Sequence, residues 1–410
     1  MAQNQYDLII AGAGPAGCTL ALNLSGRGLR IAVIEKDVFP RHKICGDALS
    51  GKVLNVLKRM PGGVYADFLR DAGKVASWGI RFTAPNGHGL DVPFVQERAP
   101  GTPPPGYVCR REDFDNFLFQ RLKLCSDIDI FEGEKVTGLA FTPDAALVET
   151  GIRALTGKIV AGADGVHSVI RKMTIGDPPD KRHFCVGIRA YYKNVTGLHP
   201  DNFIELIFLK ELLPGYFWIF PSTGGLVNAG FGMMHEQVVK LGENLNQVLN
   251  RLVSSHPLIA PRFRNAEISG RAEAHSLPLA SFHPKRSGDR FLLLGDAAFM
   301  VDPFSGEGIG NAMGTGEIAA SVLENCFRIN DFSAGELLKF EAGIGRRFSQ
   351  EFRTTSVMQR LAGSPFLFNL VVDKARKNKN LRDLLTSMFT NEDMKEKLTR
   401  PGFYAGLLFK

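Results

Sequence analysis

No C-x-x-C pair occurs among the six cysteines (Cys18, Cys45, Cys109, Cys125, Cys185 and Cys326), which argues against a disulfide framework and a zinc site and leaves free thiols. No apolar run approaches the ~18 to 20 residues of a membrane span. The longest are "FLLLG" from 291 and "FLFNLVV" from 366. The opening "MAQNQYDLII" has no basic segment leading into a long apolar stretch, so no secretory signal is read. The expected location is cytoplasmic, with a peripheral place at the inner face of a membrane left open. Basic stripes interleaved with aromatics are missing, which removes nucleic acid from the expected partners. Internal repeats and low-complexity tracts are missing too. Tryptophan is scarce: only Trp78 and Trp218, both in expected strands.

What is present is ordinary for a globular protein: 410 residues, 44% hydrophobic and 22% charged, a length that suggests two or three structural units. A net charge of +7 suits anionic ligands such as nucleotides, diphosphates or phospholipid headgroups.

The stretch "YDLIIAGAGPAGCTLALNL" passes from a buried strand through Gly12, Gly14 and Gly17 into a helix of small residues. In this G-x-G-x-x-G arrangement the first glycine permits the turn, the second admits a pyrophosphate, and the third lets the helix pack on the strand. The helix N-terminus then presents free N–H groups to the phosphates. A second strand, "RIAVIEK", ends at Glu35 and Lys36, where an acidic side chain can take ribose hydroxyls.

Three further pieces follow in order. "VCRREDFDNFLFQRL" holds Arg111, Phe114 and Asp115; "IVAGADGVHSVIRKM" holds Asp164, Gly165, Ser168 and Arg171, with Arg171 read as a solvated helix residue; "RFLLLGDAAFMVDPFSGEGIGNAM" holds Gly295, Asp296, Pro303, Gly306, Gly308 and Ile309. Asp296 suits a sugar hydroxyl because a carboxylate only accepts. A helix opening near Gly308 to Asn311 would favour negative charge on a bound group. Together the four motifs resemble the p-hydroxybenzoate hydroxylase superfamily. That resemblance implies bound FAD, with Asp296 on the ribityl chain, the glycine-rich turn against the isoalloxazine, and Ala16, Cys45, Gly46 and Val136 also at the cofactor.

Residues 215–232, "GYFWIFPSTGGLVNAGFG", place Tyr216, Trp218 and Phe220 two apart, on one face of a strand. A symmetric turn at "STGG" would set Trp218 opposite Ala229, Tyr216 opposite Phe231 and Phe220 opposite Val227, with Asn228 and Gly230 on the other face. Tyr-x-Trp-x-Phe-Pro followed by Gly230 and Gly232 resembles the geranylgeranyl reductase family, as does "FPRHKICGDALS" with Pro40, Lys43, Cys45 and Gly46. The resemblance implies that the aromatic strand lines a tunnel for an isoprenoid and that Cys45 is catalytic at the flavin end. Basic neighbours Arg41, His42 and Lys43 would lower its thiol pKa.

The implied activity is reduction of C=C bonds in a prenyl lipid by hydride from reduced FAD, with electrons from NAD(P)H or a reduced carrier. Alternatives are an aromatic hydroxylase, a flavin-dependent halogenase and a non-enzymatic flavoprotein. Few polar inward residues in the middle sheet, and no lysine clearly placed in an apolar tunnel, count against the first two. The expected fold is α/β: a Rossmann-like FAD domain in three parts (1–80, 105–182, 285–335), an inserted antiparallel sheet (81–104 and 183–284), and a helical region (336–410). Lys374, Arg376, Lys377, Lys379 and Arg382 after the apolar "FLFNLVV" suit an anionic membrane surface.

Overall fold

A computed structural model describes residues 4–71, 73–95, 98–177, 181–378 and 381–382. The strand Gln5–Ala11 carries the run Leu8, Ile9 and Ile10 because it sits inside a parallel sheet covered on both faces. Its neighbours are Ile31–Glu35 and then Ile128–Glu132 on one side, and Ala154–Gly162 and then Phe291–Leu293 on the other, all parallel. All five strands end at the same edge, where open α/β sheets bind ligands. The helix Pro15–Leu24 leaves that edge at Gly14, and the long helix Ile309–Ile329 packs against it closely. A Cβ on Gly316 would stand 2.7 Å from the carbonyl oxygen of Ala16.

A second sheet has seven strands, in the order Glu267–Pro278, Phe184–Lys193, Val227–Met234, Phe217–Pro221, Ile204–Ile207, Gly79–Thr83, Gly89–Pro93. The two inserts thus make one sheet. It is not wholly antiparallel: Ile204–Ile207 runs parallel to Gly79–Thr83, because the early hairpin joins a strand contributed much later in the chain. Trp78 lies outside the strands, between Lys74–Ser77 and Gly79–Thr83, with the Arg98 guanidinium over its ring.

The hairpin register differs by one residue from the symmetric expectation. Phe217 pairs with Phe231, Trp218 with Gly230, Ile219 with Ala229, Phe220 with Asn228 and Pro221 with Val227. The turn is one residue longer on one side: Ser222 N–H donates to Leu226 C=O, and Gly224 and Gly225 both take left-handed φ (66° and 72°). A shift of one residue exchanges faces on the returning strand. Asn228 and Gly230 therefore share the face of Trp218, while Ala229 and Phe231 join Phe217 and Ile219 in a separate core beneath the helix Leu245–Ser255.

A small third sheet of Ala48–Leu49, Gly106–Cys109 and Lys74–Ser77 anchors the end of the 41–47 loop. The helices Ala334–Ala362 and Pro365–Lys377 close the described structure. The second docks on the early hairpin, with Asp373 Oδ1 2.5 Å from His88 Nδ1, and on the end of the neighbouring strand Ile204–Ile207, with the Phe368 ring 4.2 Å from that of Phe208. Lys374, Arg376 and Lys377 occupy its last turn, whereas Lys379 and the expected helix beyond 382 lie outside the described residues.

Candidate functional site

The strand ends of the first sheet and the inner face of the second enclose one cavity of about 930 Å³. On the nucleotide side, Gly12 has φ +101°, and a Cβ there would strike the carbonyl oxygen of Ala163 at 2.4 Å. Gly17 packs on the carbonyl of Gly12 and does not itself line the cavity; Gly14 and Ala16 do. Glu35 is buried and its Oε2 accepts from Ala13 N–H at 2.8 Å, so one carboxylate oxygen fixes the glycine loop. Lys36 and Val136 line the same end.

Further along, Asp164 binds Ser168 Oγ and the N–H groups of Val169 and Ile170, which shapes the turn at Gly165. Arg171 is not solvated: it is 4% exposed and its Nη2 donates to Val166 C=O at 2.8 Å, bracing that turn from behind. Gly295, Asp296, Gly306, Gly308 and Ile309 line the cavity, but Pro303 stands behind it, its carbonyl taken by Gln359. Gly306 has φ +70° and a Cβ there would lie 3.2 Å from Tyr216 Oη. This set fits FAD: strand-end glycines, a helix N-terminus free for phosphate, and carboxylates for sugar hydroxyls.

The 41–47 loop joins the two walls. Arg41 and Arg111 both grip the buried Asp115, at 2.9 and 2.7 Å. Arg111 N–H donates to Asp47 Oδ1 at 3.2 Å. Burial pushes the Cys45 thiol up from its ordinary value, although the Arg111 guanidinium pulls the other way, which reverses the expectation of a lowered pKa. Lys43 is bonded to His275 Nε2 at 2.8 Å; burial lowers the lysine, and burial with the Lys43 charge holds His275 near about 3, a neutral imidazole.

Tyr216, Trp218 and Phe220 line the cavity, together with Ile80, Ile204 and Leu206. Gly230 and Gly232 lie behind them. A Cβ on Gly230 would meet Trp218 Cζ2 at 2.8 Å, so the glycine is the floor on which the indole rests. The Trp218 N–H donates to Asn228 Oδ1 at 2.9 Å, and Asn228 Nδ2 in turn donates to Cys45 C=O and to Asp47 Oδ2 at 2.8 and 2.7 Å. Tyr191 Oη adds a bond to Asp47 at 2.5 Å. A Cβ on Gly46 would stand 3.0 Å from Phe220 Cε2, which places the cofactor loop and the aromatic wall in contact. The inward face is more polar than the sequence implies, since Arg189, Tyr191, Asn228, Glu273 and His275 all share it.

At the turn that opens the helix Ile309–Ile329, Lys52 Nζ bonds Glu351 Oε1 at 2.5 Å and Asn311 Oδ1 at 3.0 Å. Lys52, Glu307 and Glu351 all line the cavity, so Lys43 and Lys52 reach it as well as Lys36 and Lys135. Asp302 is 1% exposed behind them; its Oδ1 accepts from Phe304 N–H, Ser305 N–H and Ser305 Oγ, and its Oδ2 has no partner. Burial, reinforced by Glu351, raises its pKa. Among the described residues no group of His, Cys, Asp and Glu could hold a metal ion.

Residues 5–179 match a family described as FAD binding domain. The digeranylgeranylglycerophospholipid reductase of Methanosarcina acetivorans is 30% identical over 345 residues, covering 81% of this chain and 78% of that one. The chain belongs to the geranylgeranyl reductase family of FAD-dependent oxidoreductases. Digeranylgeranylglycerophospholipid reductase 2 of Methanopyrus kandleri is 27% identical over 368 residues, 85% of this chain and 84% of that one. A geranylgeranyl bacteriochlorophyll reductase-like protein of Thermoplasma acidophilum shares the fold of this family member with a TM-score of 0.79 at 22% identity, over 96% of this chain and 98% of that one. A flavin-dependent brominase shares it at 0.75 and 20% identity, over 98% of each. FAD is the cofactor of this geranylgeranyl reductase family member.

Sequence reasoning missed Asn228, Asp47, Arg189, Lys52 and Glu351. Asn228 was hidden by the register shift. Lys52 and Glu351 are far apart in the chain, and no local spacing announces them.

Proposed function

We propose that the protein reduces carbon–carbon double bonds of a prenyl lipid. The observation that carries the reading is the contact of Gly46 with Phe220: the loop beside the cofactor cradle lies directly on an aromatic wall, so an apolar chain on that wall reaches the flavin. Bound and reduced, FAD supplies hydride chemistry.

In this reading Gly12, Gly14, Ala16 and the helix after them hold the pyrophosphate; Glu35, Lys36 and Val136 take the adenosine; Asp164, Gly165, Gly295 and Asp296 take the ribityl chain. Gly306, Gly308, Ile309, Arg111, Cys45 and Gly46 surround the ring system. Tyr216, Trp218 and Phe220 orient the alkene and exclude water, and their ring faces favour positive charge developing on its carbon. Lys52 Nζ and Glu351 Oε1 hold the proton for the second alkene carbon, and the buried Asp302 carboxyl, its pKa raised by burial, lies behind them. NAD(P)H or a reduced carrier is the electron donor.

A halogenase needs a free lysine ammonium in the tunnel, whereas Lys52 is held by Glu351 and Asn311, and Lys43 by His275. Among the described residues no helix is long and apolar enough to cross a membrane. The exposed Phe366 and Val371, on the helix that ends in Lys374, Arg376 and Lys377, support contact with an anionic membrane surface.

The test is anaerobic: the flavoprotein is reduced with dithionite and mixed with prenyl lipids, and flavin reoxidation is followed beside mass spectrometry of the lipid. Lipid products heavier by two hydrogens per turnover are expected. Reoxidation by oxygen alone, with the lipid unchanged, would reject the reading.

A further inference from the structure

The inner face of the second sheet changes chemistry along one row. Opposed residues run Glu273, Arg189, Gly230, Trp218, Leu206 and Phe82, from a charged edge to an apolar one. Gly230 puts no side chain between the two halves. The indole lies across it, and a Cβ on Gly187, on the strand of Arg189, would be 3.6 Å from Trp218 Cη2. Arg189 and Trp218 are thus two strand spacings apart, about 10 Å between backbones.

Beyond Arg189 opens a second cavity of about 380 Å³, which meets the first at His42, Lys43 and Arg189. Its walls set Lys43, Arg110, Arg189 and Arg271 against only two carboxylates, Glu112 and Glu273. Arg189 is 3% exposed, its approach to Glu273 is long at 3.4 Å, and its Nε has no partner; Arg110 Nε is likewise buried without one. Both guanidinium groups stack on the Tyr191 ring, at 4.6 and 5.6 Å, and Tyr191 is itself fixed by Asp47. A buried guanidinium with a spare donor, as Arg189 has, is costly unless something accepts from it. Arg110 is more exposed and its Nη2 is paired with Glu112 at 2.7 Å, but its Nε is free toward the same space. Two guanidinium groups with spare donors in a concave, cationic space match the geometry of a phosphate.

We infer that this side cavity is the subsite for the phosphate of a prenyl lipid phosphate, whose alkenes then lie on the Trp218 wall. The inference rests on the prenyl-lipid reading above and adds the polar end of the substrate. Continuity of the row from Arg189 to Trp218 favours the lipid over a nucleotide donor, which need not touch the wall at all.

The experiment uses the FAD-loaded enzyme and its Arg189→Met and Arg110→Met variants, reduced with dithionite and reoxidised by geranylgeranyl phosphate or by geranylgeraniol. The half-saturating concentration for the phosphate, relative to that for the alcohol, should rise about ten- to hundredfold in each variant. Arg110 stands at the rim, so its variant decides the matter if Arg189→Met does not fold. An unchanged ratio overturns the subsite, and so does an effect confined to flavin reduction by NADH or NADPH. If neither compound reoxidises the parent enzyme, the prenyl-lipid reading fails separately. Spectral titration of the oxidised holoenzyme with geranylgeranyl phosphate then still scores the subsite: parent and variants binding alike reject it, and weakened binding in both variants supports it.

Discussion

The indole nitrogen of Trp218 donates to Asn228 Oδ1 across 2.9 Å, and the same amide holds Cys45 C=O and Asp47 through its nitrogen. The tunnel wall and the cofactor loop are therefore one hydrogen-bonded unit. Trp218→Phe keeps an aromatic face but leaves a buried amide oxygen without a donor, which costs about 1 to 3 kcal/mol. Denaturant unfolding should show that loss, and the Trp218→Phe, Asn228→Leu double variant should lose less than the sum of the singles. Additive losses would mean that the bond is incidental and the ring acts by packing alone.

Gly46 is a second point where the walls meet. A Cβ added there falls 3.0 Å from Phe220 Cε2, inside ordinary contact. Gly46→Ala should push the loop away from the wall. Lipid-dependent reoxidation is expected to slow, while the flavin spectrum and FAD affinity stay close to the parent. A variant with parent rates would show that the loop is free to shift.

Asp296 lines the cavity beside Gly308, where its carboxylate can accept from a sugar hydroxyl. Asp296→Ala should weaken FAD by about 1.5 to 3 kcal/mol, roughly ten- to a hundredfold in dissociation constant. Equilibrium dialysis or fluorescence titration of the flavin checks it. Retention equal to the parent would displace Asp296 from the proposed ribityl contact.

Burial raises the Cys45 thiol, so it should be a poor nucleophile toward iodoacetamide at neutral pH. Alkylation should become appreciable only above the ordinary thiol range of about 8.5. Cys45→Ser is expected to lower lipid reduction or alter the product distribution without changing the flavin spectrum. Rapid alkylation at pH 7 would restore the lowered pKa that Arg41, His42 and Lys43 suggest from sequence.

Local chemistry in the chain explains how much could be read beforehand. The glycines at 12, 14 and 17, Glu35 and the 295–309 loop are fixed by backbone demands that act within a few residues, so they are legible as a string. The aromatic stripe of Tyr216, Trp218 and Phe220 is legible for the same reason. The pairing of that strand is not, because one extra turn residue, with Gly224 and Gly225 in left-handed conformations, decides which face Asn228 takes. Arg171 reads as an exposed helix residue, but it is buried in the fold and donates to Val166 C=O. The basic residues near Cys45 suggest a lowered thiol pKa by sequence proximity, but they are engaged elsewhere: Arg41 with Asp115, His42 with Glu273 and Lys43 with His275. Charge partners and burial are properties of the assembled fold.

Asp302 offers the sharpest test of the proton store. Its folded pKa is raised by burial and then by Glu351, while the unfolded carboxyl titrates near about 3.9. Between those two values the native state binds the extra proton, so stability falls as pH rises from about 4 through the folded pKa, and levels off above it. Asn at this position retains the oxygen that accepts from Phe304 and Ser305 and removes the titrating proton. Asp302→Asn should therefore be no less stable than the parent at acid pH and gain on it progressively toward neutrality, as read from urea midpoints across that range. If Asp302 also refills the Lys52 and Glu351 pair, the variant's lipid-dependent reoxidation should slow, with flavin reduction by the donor unaffected. Parallel stability curves would show that the carboxyl is ionised in the fold throughout, and unchanged reoxidation would leave proton supply to Lys52, Glu351 and water.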